Sequence, residues 1–581
     1  MTTFESLPNE IVLSIFYYLN SFDIFRAFYA LNFRFNQLLY NQHDAQCIIF
    51  DSVSKRSFDM VCQRYLPFMI NRLVSLHLDN EGSTPGQINL FRLYIPSFTS
   101  FTHLRSLTFR FIHSSEMLMG IVNECHQLPH LLLLRFYCCR LKDNQTHMQW
   151  IADNIWSLPT LTHCTFDIHI GGQRSFCLPK AVSSSIEYLY MCIENRVEAN
   201  QIRRLIKRTP CLRHLSAYVD FTLDDNLVLP PCSTMTELDM IISVSPTIDQ
   251  MNRFTRSFPN LHRLNVYMWF TIIDGYQWEE MVGKYLPNLQ VLGLKMRNMY
   301  DENDNMEEKA DELISSFQSS FWIYTHRWYV RCIIFNHTIF LHTLQNISLS
   351  WNEIIPGSFR STYPEDNLQK LYDSITDIYT KTIIISTSAS ANVYLYNIKN
   401  LNIGVPIYDQ FWSFVPSLCR LKSLSISSYS DRYQNDLQVL FDRAPNLYFL
   451  NVYQDKPSLS YISLFKCKSP SIRHICLRYY VRKCNYFFTK DDCRVLCHSS
   501  LGNQCEKLTM CVRNRDDVIY LAENLRSIFF LEIECGDDKH SPTSTSERNN
   551  DAFVRWLKER LSSRTLITRD PSLGRTVRLW M

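Results

Sequence analysis

Five residues near the end of the chain, Cys484, Cys493, Cys497, His498 and Cys505, carry the thiol and imidazole groups that zinc prefers as ligands. Their spacing argues against a metal site, because CRVLCH holds no paired Cys-x-x-Cys knuckle and the cysteines lie in apolar surroundings, as buried thiols do. A second grouping, HIGGQRS at residues 169–175, joins an imidazole, two glycines and a serine, but glycine and polar residues between apolar segments read first as a turn. Cys125 beside His126 sets a nucleophile next to a base, yet adjacency in sequence does not define the hydrogen-bonded geometry that activates a thiol. The chain has no phosphate-binding P-loop, no GxSxG elbow, no HExxH helix and no dinucleotide fingerprint. These observations predict no catalytic site, no metal and no cofactor.

The elements that would have to position such groups tell more. Of 581 residues 46% are apolar, enough to build a sizeable core, and the 20 cysteines, scattered through segments such as LRFYCCRL, read as reduced core thiols. Lys plus Arg number 59 against 56 Asp plus Glu, a net charge of +3 that supplies no basic field for nucleic acid. No stretch has the length and apolarity of a membrane span, and MTTFESLPNE lacks the basic and apolar regions of a secretory signal. A cytoplasmic or nuclear protein that engages neither membrane nor nucleic acid is expected.

A triplet of apolar positions, spaced three and then two residues apart, recurs along the chain. It begins with Leu73, Leu76 and Leu78 in RLVSLHL and Leu104, Leu107 and Phe109 in HLRSLTF, and its first positions from 73 to 289 lie 23 to 31 residues apart. After a gap it resumes at Leu421, Leu424 and Ile426 and runs to Leu525, Ile528 and Phe530. Many triplets follow a proline, as in LPHL, LPTL, TPCL, FPNL, LPNL and APNL. Proline lacks an amide donor and turns the residue before it away from the helix, so each unit reads as helix, turn and short strand. Residues two apart on a strand share a face, so the second and third positions point to a core that no single unit can bury alone. Stacking the units buries it continuously.

This series resembles an irregular leucine-rich repeat, although the closing Asn or Cys of that family's pattern is mostly missing. The expected fold class is α/β: a small N-terminal helical domain, then a solenoid with a parallel sheet on its concave face and helices outside. The predicted divisions are residues 1–45, helical; 46–535, solenoid, with an acidic and hairpin insertion at about 300–390; 536–552, a polar loop; and 553–581, a helix and closing strand. Residues between the core positions, among them His77, Thr108, Arg135, Thr165, Tyr190, Ser216, Asp239, Asn265 and Gly293, would face the concave surface. With Tyr188, Tyr218, Tyr267 and Tyr453 nearby, that surface suits a protein or peptide, or serves simply as a solvated sheet face.

The opening stretch is of another kind. In LPNEIVLSIFYYL, Pro8 suits a helix start, Glu10 favours its positive end, and Ile11, Ile15 and Leu19, with Phe16 beside them, form a stripe at helical spacing. The next segment, capped by Ser21 or Asp23, places Ile24, Phe28 and Leu31 on one face. From Leu7 and Pro8 through Asp23, Ile24 and Ala27, residues 4–43 resemble the F-box. They depart from it at ALNFRFNQ, where Phe33 and Phe35 replace the usual Val-Cys-basic-basic-Trp run.

That resemblance implies a substrate-recognition subunit of an SCF-type cullin-RING ubiquitin ligase. Leu7, Pro8, Ile11, Ile15 and Phe16, with Leu19, Ile24, Phe28 and Leu31, would dock on the SCF adaptor subunit, and the solenoid would hold a protein substrate of unspecified identity. The alternative is a non-ligase leucine-rich-repeat interaction scaffold whose first helices are only a cap.

Overall fold

A computed structural model describes residues 4–41, 46–80, 82–141, 145–170, 176–191, 196–221, 231–242, 244–335, 337–344, 358–379, 394–407, 409–427, 429, 431–453, 462–478, 487–538, 551–570 and 575–581. The chain opens with α1 (Asn9–Tyr17), α2 (Ser21–Phe28) and α3 (Phe33–Asn41). Pro8 stands at the N-cap just before α1 rather than inside its first turn. The cap of α2 is Asn20, not Ser21 or Asp23, because Asn20 holds the extended conformation from which a short side chain reaches the free amides, accepting the Asp23 N–H at 2.9 Å.

The body is a mixed α/β solenoid of the leucine-rich-repeat kind. All three positions of the first nine triplets are buried. Successive strands from Cys47–Ile49 to Val291–Met299 pair in parallel in chain order, with Arg196–Glu198 off the path. Their core positions stay in register: Leu76 lies beside Leu107, Leu107 beside Leu134 and Leu134 beside Cys164. Helices such as Ser115–Cys125, Gln145–Trp156 and Gly275–Tyr285 stop shortly before Pro129, Pro159 and Pro287, as the proline reading requires.

Between the two runs of triplets the polarity of pairing changes. Met306–Ser316 is a helix, and Val330–Phe335 with Thr338–Thr343 form the expected antiparallel hairpin, whose turn residue Asn336 lies outside the described residues. Thr338–Thr343 adds antiparallel to Val291–Met299, and Ser358–Ser361 forms the edge of this first sheet. A second sheet runs in parallel from Asp377–Tyr379 to Phe530–Cys535.

Three details of the repeat reading change. Ile398, Leu401 and Ile403 form a further buried triplet, and Leu401 pairs with Leu424. The final triplet is Ile528, Leu531 and Ile533, since Leu508 pairs with Leu531 and Met510 with Ile533. Phe530 therefore points to the opposite face. Beyond helix Ala552–Arg560 the chain forms two antiparallel strands, Leu566–Arg569 and Thr576–Trp580, rather than one. Residues 539–550, most of the expected polar loop, lie outside the described residues.

The last strands return to the first repeat and close the solenoid into a ring. Thr576–Trp580 pairs antiparallel with Phe530–Cys535, while the indole of Trp580 enters the core of the first sheet. Trp580 Nε1 donates to Val53 O at 2.8 Å, the Lys55 amide donates to Met581 O at 2.8 Å, and the Trp580 and Phe58 rings lie 5.2 Å apart.

Candidate functional site

Two surfaces are built by these elements, and the first lies on α1–α3. Arg34 of α3 grips the turn ahead of α1, donating to Asn9 Oδ1 at 2.7 Å, to Glu5 O at 2.5 Å and to Leu7 O. Phe28 packs 4.8 Å from Phe16 and 5.5 Å from Phe35, closing the three helices on one another. On the solenoid side, Phe25 stacks on Tyr65, Phe22 lies 5.3 Å from Phe50, and Tyr29 Oη donates to Arg64 O at 3.1 Å.

This packing divides the predicted docking residues. Pro8, Ile11 and Leu31 are exposed, whereas Leu7, Ile15 and Leu19 are half-buried. Phe16, Ile24 and Phe28 are buried within the chain. Three short helices must first bury a shared stripe to hold together, and these residues supply it. The large apolar groups left outside are Phe4 (45% exposed), Ile11 (48%), Tyr17 (76%), Tyr18 (85%), Leu31 (56%) and Phe33 (78%). Tyr17 and Tyr18 escape a stripe-based reading because they fall beside the helical period; apolar residues off the core face were the available signal.

The second surface is the inner face of the sheets. His77, Thr108, Arg135 and Thr165 stand side by side in register. The same row continues through Tyr190, Ser216 and Asp239 to Asn265 and Gly293. In the second sheet Ser425, Asn451, Cys476 and Thr509 repeat it and lead to Glu532 and Arg578. A Cβ on Gly293 would sit 2.1 Å from Oδ1 of the neighbouring Asn265, so a larger residue there would displace that side chain.

Along this face His163 stacks on Tyr188 at 4.2 Å, and Tyr188 leads to His214, 6.0 Å away. His214 Nε2 meets Asp239 Oδ2 at 3.1 Å, and its Nδ1 lies 3.4 Å from Glu237. The hydrogen bond to Asp239 holds the His214 imidazole above its ordinary value. Burial pushes the Asp239 carboxyl up, but hydrogen bonds from His214 and from Asn265 Nδ2 at 2.6 Å outweigh it and hold the group below the usual carboxylate value. Tyr188 and Tyr190 are exposed, Tyr267 is half-buried and Tyr218 is buried; the Tyr453 side chain lies outside the described residues. Exposed phenols beside fixed hydrogen-bonding groups are side chains of the kind enriched at protein interfaces.

Among the described residues the sequence candidates for chemistry form no metal-holding or catalytic group. Cys484 and Gly171–Ser175 lie outside the described residues. Burial pushes the thiols of Cys505 and Cys125 up to about 12 and that of Cys497 to about 11, keeping them protonated, while His498 Nδ1 is engaged by Arg494 O at 2.7 Å. Among the described residues no group of His, Cys, Asp or Glu could hold a metal ion, and no helix is long and apolar enough to cross a membrane. Seventeen described cysteines are free; Cys511 is disulfide-bonded, which departs from the reduced-thiol expectation.

Neither a protein-family model nor a curated protein matches the sequence. Among solved structures the chain is similar to one described as the crystal structure of a TLR13–ssRNA13 complex, at 13% identity and a TM-score of 0.24, covering 82% of this chain and 70% of that one. So loose an overlap says nothing about a ligand here. The triplets and their register define the fold class themselves: a leucine-rich-repeat-like α/β solenoid.

Proposed function

We propose that this chain is the substrate-recognition subunit of an SCF-type cullin-RING ubiquitin ligase, docking on the adaptor through α1–α3 and holding a protein substrate on the inner face of the ring. The observation that carries the reading is the unpartnered apolar surface of the helices. A cap turns its polar side outward, whereas α1 and the α2–α3 turn present Ile11, Tyr17, Tyr18 and Leu31 to solvent. Pro8, Ile11 and Leu31 form the centre of the docking face, with Leu7, Ile15 and Leu19 at its margin, and Phe16, Ile24 and Phe28 support it from beneath. The chain works in the cytoplasm or nucleus without a cofactor and performs no bond chemistry. It contributes proximity, and other subunits carry the transferred group.

A simple interaction scaffold is the second reading. It is favoured by the contact of Phe22 with Phe50, through which α2 helps cover the first repeat. Co-purification of the full chain with an SCF adaptor separates the two. Wild type is expected to bind stoichiometrically and an Ile11→Asp, Leu31→Asp variant to lose binding while melting normally, since both sites are exposed. Failure of the folded wild type to bind would leave the scaffold.

A further inference from the structure

At the strand-start edge of the second sheet the turns of successive repeats are locked to one another. The Lys422 amide donates to Lys399 O at 2.8 Å, the Tyr448 amide to Lys422 O at 2.9 Å, and Asn446 Nδ2 to Cys419 O at 2.7 Å. These turns precede Asn400–Gly404, Ser423–Ser427 and Phe449–Tyr453, and between them lies a groove of about 810 Å³. Clefts that hold ligands span roughly 300–1,000 Å³. Lys399, Arg420 and Lys422 line the groove together with Tyr448 and Phe449, and among the described residues no acid does.

The three cations are exposed, and among the described residues no carboxylate pairs with them and no acceptor takes a hydrogen bond from their side chains. The acids of the neighbouring repeats are engaged elsewhere: Glu506 lies 3.7 Å from Arg473, and Asp377 accepts from Asn400 and from Thr376. The corresponding row of the first sheet is different. It runs through Leu132, Thr162, Glu187, Arg213 and Thr236, and the cation among them lies 3.4 Å from Glu187. Like charges on adjacent strands repel, so the stability of the fold does not call for lysine at both 399 and 422.

Such a groove fits a segment that carries several separate negative charges beside apolar groups. A phosphate is held best by guanidinium forks that converge on one point, whereas two of these cations are lysines, point charges on different turns. Nucleic acid follows an extended basic field, which three cations on a chain of net charge +3 do not make. Tyr448, 41% exposed, and Phe449 supply an apolar flank. Ser423 and Phe449 stand two residues before Ser425 and Asn451 on the same side of their strands, so the groove opens onto the inner face. We propose that it binds an acidic, carboxylate-bearing segment of a protein partner lying along that face. Lys399, Arg420 and Lys422 meet the carboxylates, and Tyr448 and Phe449 pack against the intervening apolar side chains. This rests on the inner face being the partner face, and not on the adaptor.

The test uses the full chain and a fluorescein-labelled decapeptide of alternating glutamate and leucine, read by anisotropy, with its glutamine counterpart beside it. Lys399→Gln, Arg420→Gln and Lys422→Gln together should weaken binding by about tenfold or more, and each alone by about two- to fivefold, as surface ion pairs do. All three positions are exposed, so the variants should melt as the wild type does. Salt at about 1 M, where the screening length falls to about 3 Å, should weaken binding as far as the triple variant does. Cys419 reports the position: it is exposed in the groove, so bound peptide should slow its alkylation by iodoacetamide and leave the exposed Cys211 unaffected. Absence of binding to folded wild type, equal affinity for the two peptides, or unchanged affinity in the triple variant would overturn the proposal. So would protection of Cys211, just beyond the basic helix Ala199–Arg208, in place of Cys419, or tighter binding of a phosphoserine peptide or a single-stranded oligonucleotide. Adaptor binding without peptide binding would sink this inference alone; the reverse would sink the ligase reading and leave a peptide-binding ring.

Discussion

Replacing Trp580 by alanine should open the ring at its seam, and the damage should appear at the far end of the sequence. Trp580 is fully buried, packs on Phe58 at 5.2 Å and donates to Val53 O at 2.8 Å. Truncating a buried tryptophan costs about 3–5 kcal/mol, and 4 kcal/mol is close to a thousandfold in local protection. Amide hydrogen exchange measured by mass spectrometry reads it directly. The Lys55 amide, bonded to Met581 O, should lose most of its protection, together with its neighbours in residues 47–58. Trp580→Phe keeps the ring contact and loses the bond to Val53, so it should cost only about 1 kcal/mol. If exchange in the alanine variant rises across residues 562–581 while residues 47–58 remain as protected as before, the two ends do not support each other and the closure argument fails.

Arg331 and Asp366 form a buried pair, with Arg331 Nε donating to Asp366 Oδ2 at 2.8 Å, that ties the hairpin to the chain beyond Ser358–Ser361. Arg331→Met should destabilise by about 3–5 kcal/mol by stranding the Asp366 carboxylate, and adding Asp366→Leu should recover most of that loss in urea titrations; an additive double variant would show that the pair is not the source. Acid should weaken the fold through His342, which burial, aided by the charges of Arg331 and Lys295, pushes down to about 3. The folded imidazole stays neutral while the unfolded one takes up a proton below about 6.5, so stability falls as pH drops from there toward 3, and His342→Leu should flatten that slope in thermal melts. His214 acts with the opposite sign: its raised value makes its contribution complete below about 6.5 and lost as pH rises through the folded value.

The sequence by itself determined the repeat and much of the inner face. A strand fixes which residues share a side, so the triplet beginning at Leu73 identified Leu76 and Leu78 as core and His77 as inward-facing without any knowledge of the neighbouring strand. It also determined that α1 is a striped helix starting close to Pro8. The final triplet was misread because Phe530 is as apolar as Leu531, and only pairing with Leu508 tells them apart.

Tertiary structure decided the rest. Which part of the opening stripe remains available depended on how α1–α3 close on one another, and that turned Phe16, Ile24 and Phe28 inward while leaving Ile11 and Leu31 outside. Closure of the ring depended on the small rotation added at each repeat, which accumulates over the whole chain and is written in no single unit. Trp580 meets Val53 across almost the entire sequence, and Lys507 comes to share a cavity with Asp51 and Asp79, for that reason. Local periodicity specifies the face a residue presents; the summed curvature of the solenoid specifies what that face meets.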